Sequence, residues 1–160
     1  MDEELLELVN KHGATIGSAS RSAIHGDPSR LHKVVHILVF NTSGRLLLQK
    51  RSLHKDVAPG KWDTSVGGHV WYGETALHAA LREMSEELGV SPNKKLEYLY
   101  SSIYTNEYES EFVVTFRCVH NGPFTINRDE IDAIQFYNVD ELLTMPDNSF
   151  LSNNFLHELK

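Results

Sequence analysis

The sequence predicts an α/β fold in which one mixed β-sheet is covered by helices. Short segments rich in β-branched residues recur along the chain, and one longer segment, residues 74–88, has the apolar periodicity of an amphipathic helix. The chain of 160 residues has the length of one domain and can bury a core. We therefore expect a single domain over residues 1–160, in which residues 1–30 form a hairpin and a short helix.

The strand predictions rest on β-branched and aromatic residues bounded by turn-forming residues. The predicted strands are residues 5–9, 14–18, 34–41, 45–50, 62–69, 96–104, 112–120 and 134–137. Turns are predicted at His12-Gly13 and Asn121-Gly122, and residues 56–61, which contain Pro59-Gly60, form a predicted loop. The first two strands would form a hairpin, and the third and fourth should be neighbours because only a short turn separates them.

Residues 74–88 give the clearest helix prediction. Their apolar side chains form one stripe, and Gly89 is typical of the residue that follows a helix. The stripe comprises Leu77, Ala80, Leu81, Met84 and Leu88. The other predicted helices are residues 22–26 as a single turn, 139–143 with Asp140 as the N-terminal cap, and 150–159.

Composition and charge limit the classes of function. Hydrophobic residues at 41% and charged residues at 23% are ordinary for a soluble globular protein. The acidic N-terminus lacks a secretory signal, and the single cysteine, Cys118, suits a reducing cytoplasm. The net charge of −7 argues against a nucleic-acid partner, and no apolar run has the length of a membrane span. We therefore expect a cytoplasmic protein without nucleic-acid or membrane partners.

A spaced pattern of glycines and acidic residues runs from residue 68 to residue 90. It reads Gly68, five residues, Glu74, seven residues, Arg82-Glu83-Met84, Ser85, Glu86-Glu87, Leu88, Gly89-Val90. In a helix, Glu83, Glu86 and Glu87 would lie within about a third of the circumference, where like charges repel. A divalent cation would remove that repulsion, and hard cations take oxygen ligands. The alternative interpretation is a solvated acidic face.

Every fixed position of this pattern matches the Nudix box, so the chain resembles the Nudix family over residues 68–90. The resemblance implies an α/β/α sandwich and an enzyme that hydrolyses nucleoside diphosphate derivatives or related small diphosphates. It also implies Mg²⁺ or Mn²⁺ as cofactor. Glu83 and Glu87 would bind the cation, Glu86 would be a further ligand or the base that orients water, and the carbonyl of Gly68 would add an oxygen ligand.

Two further residues of the pattern are expected to be structural. Glu74 and Arg82 lie eight residues apart. This spacing would let them pair and brace the loop against the helix.

The segment before the box resembles one branch of the family, which includes type 1 isopentenyl diphosphate isomerase and its hydrolase-like relatives. This resemblance covers roughly residues 25–140. It implies that Arg51 and Lys55 contact the diphosphate, since guanidinium and ammonium groups bind phosphate oxygens well. The alternative is that both are exposed cations at the end of a strand.

The same resemblance implies a second metal site. The isomerase holds a metal with two histidines seven positions apart, a third histidine, and two glutamates in a Glu-x-Glu. The matching residues here are His25, His32, His69, Glu109 and Glu111. The alternative is that His25 and His32 are structural or exposed. Glu111 is also a candidate catalytic residue of a hydrolase, and Glu130 is a weaker rival.

One departure from the isomerase bears on the reaction. The isomerase has a catalytic cysteine at the position of Gly67, and glycine has no side chain to move a proton at an alkene. A hydrolase is therefore favoured, with an isomerase-like protein and a non-catalytic diphosphate-binding domain as alternatives. Trp71, Tyr72 and Tyr104 could stack on a base or serve in packing. The oligomeric state stays open, with a homodimer as one alternative.

Overall fold

The computed structural model describes residues 4–55, 57–91 and 95–159. Asp56, with which the predicted loop begins, and the two ends of the predicted single domain lie outside the described residues. The strands are β1 (Leu5–Val9), β2 (Thr15–Ser20), β3 (Leu31–Phe40), β4 (Leu46–Arg51), β5 (Trp62–Asp63), β6 (Val66–His69), β7 (Glu97–Thr105), β8 (Ser110–Val119) and β9 (Ile131–Tyr137). The helices are α1 (Arg21–Ile24), α2 (Ala76–Leu88), α3 (Val139–Thr144) and α4 (Asn153–Glu158).

Strand β3 organises the sheet. It pairs in parallel with β8 over ten residues and antiparallel with β6, and it also contacts β1 and β4. The predicted neighbours β3 and β4 meet only at Phe40 and Leu46, and β4 runs mainly beside β9. Parallel and antiparallel pairs therefore occur in one sheet, as the sequence predicts.

Helices cover both faces of this sheet. Successive residues of a strand point to opposite faces. On one face of β3, Val35 and Ile37 belong to the core that includes Met84 of α2. On the other face, Leu38 packs in a second core with Phe155 of α4. The predicted α/β/α sandwich is confirmed.

Two boundaries differ from the prediction, and at each of them a polar side chain forms hydrogen bonds with the backbone. The predicted strand 62–69 is divided into β5 and β6, and Ser65 between them accepts a hydrogen bond from the Val39 N–H at 3.0 Å and donates to the Leu47 carbonyl. Helix α3 is capped by Asn138, which accepts from the Asp140 N–H, so the prediction of Asp140 as the cap is wrong.

The ends of α2 follow from capping. Thr75 accepts a hydrogen bond from the His78 N–H at 3.1 Å, and Gly89 adopts the left-handed conformation with φ 68°. Leu77 is 46% exposed and does not join the predicted stripe, because Ala79 is the buried side chain of that turn. No helix among the described residues has both the length and the apolar character needed to cross a membrane.

Candidate active site

A cleft of about 740 Å³ contains nearly all the side chains that the sequence singles out. Three groups meet in it: the acidic residues of α2, a set of histidines and glutamates from several elements, and two basic residues at and just beyond the end of β4. The predicted site residues on its lining are His25, Arg51, Lys55, Gly68, His69, Glu83, Glu86, Glu87, Glu109 and Glu111. His32 lies behind them and is fully buried.

Glu83 rests directly against the backbone of Gly68. A Cβ atom on Gly68 would lie 2.3 Å from the Glu83 Cδ, which no side chain tolerates without a shift. Burial raises the pKa of Glu83, and the charge of Glu86 adds to this, while Glu87 and Arg82 oppose it. The first glycine of the box is therefore required for the carboxylate to reach the strand.

Glu87 is the most buried carboxylate of the box, at 4% exposure. Its Oε1 accepts a hydrogen bond from the Gln49 Nε2 at 2.9 Å, whereas its Oε2 has no hydrogen-bond partner within the described part of the chain. Burial, followed by the charge of Glu83, raises the pKa of Glu87 well above its ordinary value. A buried oxygen without a donor beside a second carboxylate fits a cation ligand.

Glu86 lies apart from this pair. Its side chain is 53% exposed, and its Oε2 is 3.5 Å from the Arg82 Nη1. The structure thus brings Glu83 and Glu87 together and leaves Glu86 at the rim of the cleft, so the ligand or base role of Glu86 stays a prediction.

Arg82 holds the box together, and its predicted pairing with Glu74 is present. The Arg82 Nε and Nη2 donate to the two Glu74 oxygens at 2.9 and 3.0 Å. Arg82 also donates to Glu83 and to the carbonyl of His69, and its guanidinium lies 3.6 Å above the Trp71 ring. These contacts hold the end of β6, and the segment that follows it up to Glu74, against α2.

The histidine–glutamate cluster consists of His25, His32, His69, Glu109 and Glu111. The potential ligand atoms of the three histidines lie within 4.8 Å of one another, and so do those of His32, Glu109 and Glu111. The His25 Nε2 is 3.5 Å from Glu109, and the His32 Nε2 is 3.7 Å from Glu111. All five residues predicted for a second site are therefore brought together.

Electrostatics favour the neutral form of two of these histidines. Burial, with the neighbouring His25, lowers the pKa of His32 to about 4. Burial, with the positive charges around it, lowers the pKa of His69 to about 3. Neutral imidazole is the form that binds metals, so the cluster fits a divalent cation such as Mn²⁺ or Zn²⁺.

Arg51 and Lys55 lie at the mouth of the cleft and each has an acidic neighbour. The Arg51 Nη1 is 3.5 Å from Asp63, and its Nε donates to the Val57 carbonyl at 2.8 Å. The Lys55 Nζ is 3.8 Å from Glu130. Both cations line the cleft and neither is an isolated exposed charge, so their contact with a diphosphate stays a prediction.

Sequence reasoning missed three polar residues that line the cleft, together with Glu158, which pairs with one of them. Gln49 donates to Glu87, Asn154 donates to Glu111 at 3.0 Å, and His36 pairs with Glu158. A polar residue inside an apolar strand segment was the available signal for Gln49 and His36. Nothing in the local pattern around Asn154 or Glu158 indicates that α4 reaches the site.

Comparison with known proteins identifies the family. The family model described as NUDIX domain matches residues 30–159, and the chain belongs to the Nudix family. This confirms the predicted membership, which the acidic helix and the sandwich fold indicate independently.

Relatives of known name include both hydrolases and isomerases. An isopentenyl-diphosphate Delta-isomerase of Streptomyces avermitilis is 38% identical over 143 residues, which cover 86% of this chain and 73% of the relative. In two other Streptomyces isomerases the match spans 45% of the relative's length. An uncharacterized Nudix hydrolase of Listeria monocytogenes is 30% identical over 157 residues, with 96% and 91% coverage.

The fold also matches a crystal structure from Deinococcus radiodurans. That chain has a TM-score of 0.82 and 27% identity, with 98% of this chain and 96% of the other covered. Family membership and fold are thus established, and the reaction must be argued from the site.

Proposed function

We propose that the protein is a metal-dependent Nudix hydrolase that cleaves a diphosphate bond by attack of water. The observation that carries this proposal is the pair of half-buried Glu83 and buried Glu87, in which one Glu87 oxygen has no donor among the described residues. The pair faces a cleft whose mouth holds Arg51 and Lys55. Anionic groups on the floor and cations at the entrance suit a metal–diphosphate complex.

The role of each side chain in the proposed reaction follows from its charge. Glu83 and Glu87, with the Gly68 carbonyl, would hold Mg²⁺ or Mn²⁺, and Gln49 would keep the Glu87 carboxylate oriented. The bound cation would lower the pKa of a water molecule and neutralise charge on the diphosphate. Glu86, at the rim, is the candidate base that orients the attacking water, and Glu111, which also lines the cleft, is the alternative.

Arg51 and Lys55 would bind the diphosphate. Their present acidic neighbours, Asp63 and Glu130, lie at 3.5 and 3.8 Å, beyond close hydrogen-bond distance. These partly exposed ion pairs contribute little, so Lys55 and the Nη groups of Arg51 can turn to a phosphate oxygen at small cost while the Arg51 Nε stays bonded to the Val57 carbonyl. The substrate class is a small diphosphate, such as a nucleoside diphosphate derivative.

An isopentenyl-diphosphate isomerase activity is the second candidate. The assembled histidine–glutamate cluster and the 38% identity to an isomerase favour it. Gly67 opposes it, because no side chain at this position can transfer a proton to an alkene. A domain that binds diphosphates without turnover is the third candidate. The paired carboxylates Glu83 and Glu87 argue against it, because binding alone does not require them.

A screen of diphosphates separates these candidates. The purified protein is incubated with Mg²⁺ or Mn²⁺ and a panel of nucleotide and non-nucleotide diphosphates, and phosphate release is measured in ¹⁸O-labelled water. We expect release from at least one compound and ¹⁸O in the product, together with no conversion of isopentenyl diphosphate. Isomerisation without hydrolysis of any compound would overturn the proposal, and tight binding without turnover would favour a binding domain.

A further inference from the structure

His36 has a place in the cleft that neither the box nor the histidine–glutamate cluster explains. It lies on β3 directly opposite Gly67 of β6 and is 5% exposed. Both residues line the cleft. A Cβ atom on residue 67 would lie 3.4 Å from the His36 Cδ2 and 3.8 Å from its Nε2. The absence of a side chain at Gly67 therefore leaves the Nε2 edge of the imidazole facing the cleft.

Glu158 of α4 fixes the orientation of this imidazole. The His36 Nδ1 lies 3.0 Å from the Glu158 Oε2. The other carboxylate oxygen of Glu158 accepts hydrogen bonds from Thr115 at 3.1 Å and from the Tyr100 hydroxyl. Because Glu158 is an acceptor in all three contacts, the His36 Nδ1 is the donor. Among the described residues, the hydrogen bond of the His36 side chain is the one that its Nδ1 makes with Glu158, and it leaves the Nε2 side of the ring for a ligand.

The surroundings favour a charged pair. Burial opposes a charge on His36, but the hydrogen bond and charge of Glu158, with the charges of Glu111 and Asp63, raise the pKa of His36. Burial likewise opposes ionisation of Glu158, yet its hydrogen bonds from His36, Tyr100 and Thr115 lower its pKa. With Nδ1 already used, the proton on Nε2 is available to a partner in the cleft.

We propose that His36 is a substrate-binding residue that donates its Nε2 hydrogen to an oxygen of the diphosphate substrate, in the space left by Gly67, and that Glu158 is its positioning residue. The inference deepens the proposed function and rests on it for the choice of a diphosphate. A charge-assisted hydrogen bond from a fixed imidazolium adds a contact to the anion besides those of Arg51 and Lys55. A cationic donor thus occupies the region where the isomerase has its cysteine.

Binding of a non-hydrolysable analogue tests the proposal without requiring turnover. Calorimetry with methylenediphosphonate and Mg²⁺ is carried out on the parent, His36→Gln, Glu158→Gln and Thr115→Val. We expect His36→Gln to weaken binding about tenfold, as for one charge-assisted hydrogen bond. Glu158→Gln should weaken it by a smaller factor, because the imidazole keeps a partner but loses its charge.

Thr115→Val is the matched control for a purely structural role. Thr115 lies opposite His36 in the β3–β8 ladder, and the substitution removes its hydrogen bond to Glu158 while leaving the contact of Glu158 with the His36 Nδ1 in place. We expect it to bind the analogue like the parent. If His36→Gln binds like the parent, or if Thr115→Val loses as much affinity as His36→Gln, the proposal is overturned.

Nuclear magnetic resonance of the parent covers the case in which His36→Gln does not fold. The imidazole ¹⁵N signals of His36 should report an Nδ1 bond to Glu158 in the free protein and a shift of the Nε2 signal on addition of the analogue. An Nε2 signal that does not move at saturating analogue contradicts the proposal. Because these measurements need no reaction, a negative diphosphate screen would leave them interpretable.

Discussion

The two candidate metal sites of the cleft are built in opposite ways. The acidic site takes its carboxylates from one helix, α2, with Gln49 and the Gly68 backbone added from the sheet. The histidine–glutamate cluster collects its ligands from a helix end, three strands and a loop. In the first site the candidate ligands are close in sequence but do not all converge, since the Glu86 side chain is largely exposed and lies apart from Glu83 and Glu87. In the second they are distant in sequence yet within 4.8 Å in each set of three.

The two sites differ in the role that a bound cation would have in each. Glu83 and Glu87 are acidic groups forced together by burial, and both have raised pKa values. In the cluster, burial lowers the pKa values of His32 and His69, so these two imidazoles add no positive charge at neutral pH, and the acidic members are Glu109 and Glu111. The acidic site should therefore depend on the cation for its chemistry, and the cluster should depend on it mainly for stability at acidic pH.

The largest expected effect is on turnover in the acidic site. Glu87→Gln removes the charge that would bind the cation and nearly preserves the shape, so turnover should fall at least about a hundredfold, roughly 3 kcal/mol. The melting temperature should not fall, because a buried carboxylate with a raised pKa destabilises the fold when ionised. Steady-state kinetics and thermal unfolding check both expectations.

Glu97→Gln is the control for this comparison, since Glu97 is exposed, lies 3.9 Å from Arg117 and does not line the cleft. It should keep parental turnover. A folded Glu87→Gln variant with near-normal turnover would remove the acidic site from the mechanism.

The next effect concerns acid stability of the cluster in metal-free protein. His69 has a folded-state pKa of about 3 against an ordinary 6.5, so the unfolded chain takes up the proton first as the pH falls. This residue should therefore cost about 2 kcal/mol of unfolding free energy between pH 7 and pH 4.5. In chelator, His69→Gln should lose that much less stability than the parent over this range.

Urea denaturation at the two pH values measures the difference. His54→Gln, at an exposed position, is the matched control and should follow the parent. Equal pH dependence in the parent and His69→Gln would mean that His69 is not held neutral by burial.

The smallest effect is expected at the mouth of the cleft. Arg51→Ala should raise KM by up to about tenfold with little change in kcat, if the guanidinium binds substrate and transition state equally. Arg45→Ala, exposed and outside this cleft, is the control. A KM equal to that of the parent on the true substrate would leave Arg51 only its contacts with Asp63 and the Val57 carbonyl.

Local sequence patterns predicted the features that interactions between residues close in the chain determine. The amphipathic period of residues 74–88, the glycine at 89 and the pairing of Glu74 with Arg82 all follow from helix geometry. The five residues of the cluster were found through family resemblance, because no spacing rule links Glu111 to His32. His36 and Glu158 were not predicted as site residues, since their contact joins positions that are 122 residues apart in the chain. Long-range register decides such contacts.

The parallel register of β3 and β8 has a consequence for folding kinetics. His32 lies opposite Glu111 in this ladder, 79 positions later in the chain. The loop between them must close before the two side chains can share an ion, and such non-local pairings form slowly. A cation at the cluster would therefore be captured only by chains that have already joined these strands. The rate at which the cation binds during refolding would therefore report when the central ladder forms around His32 and Glu111, without an added dye.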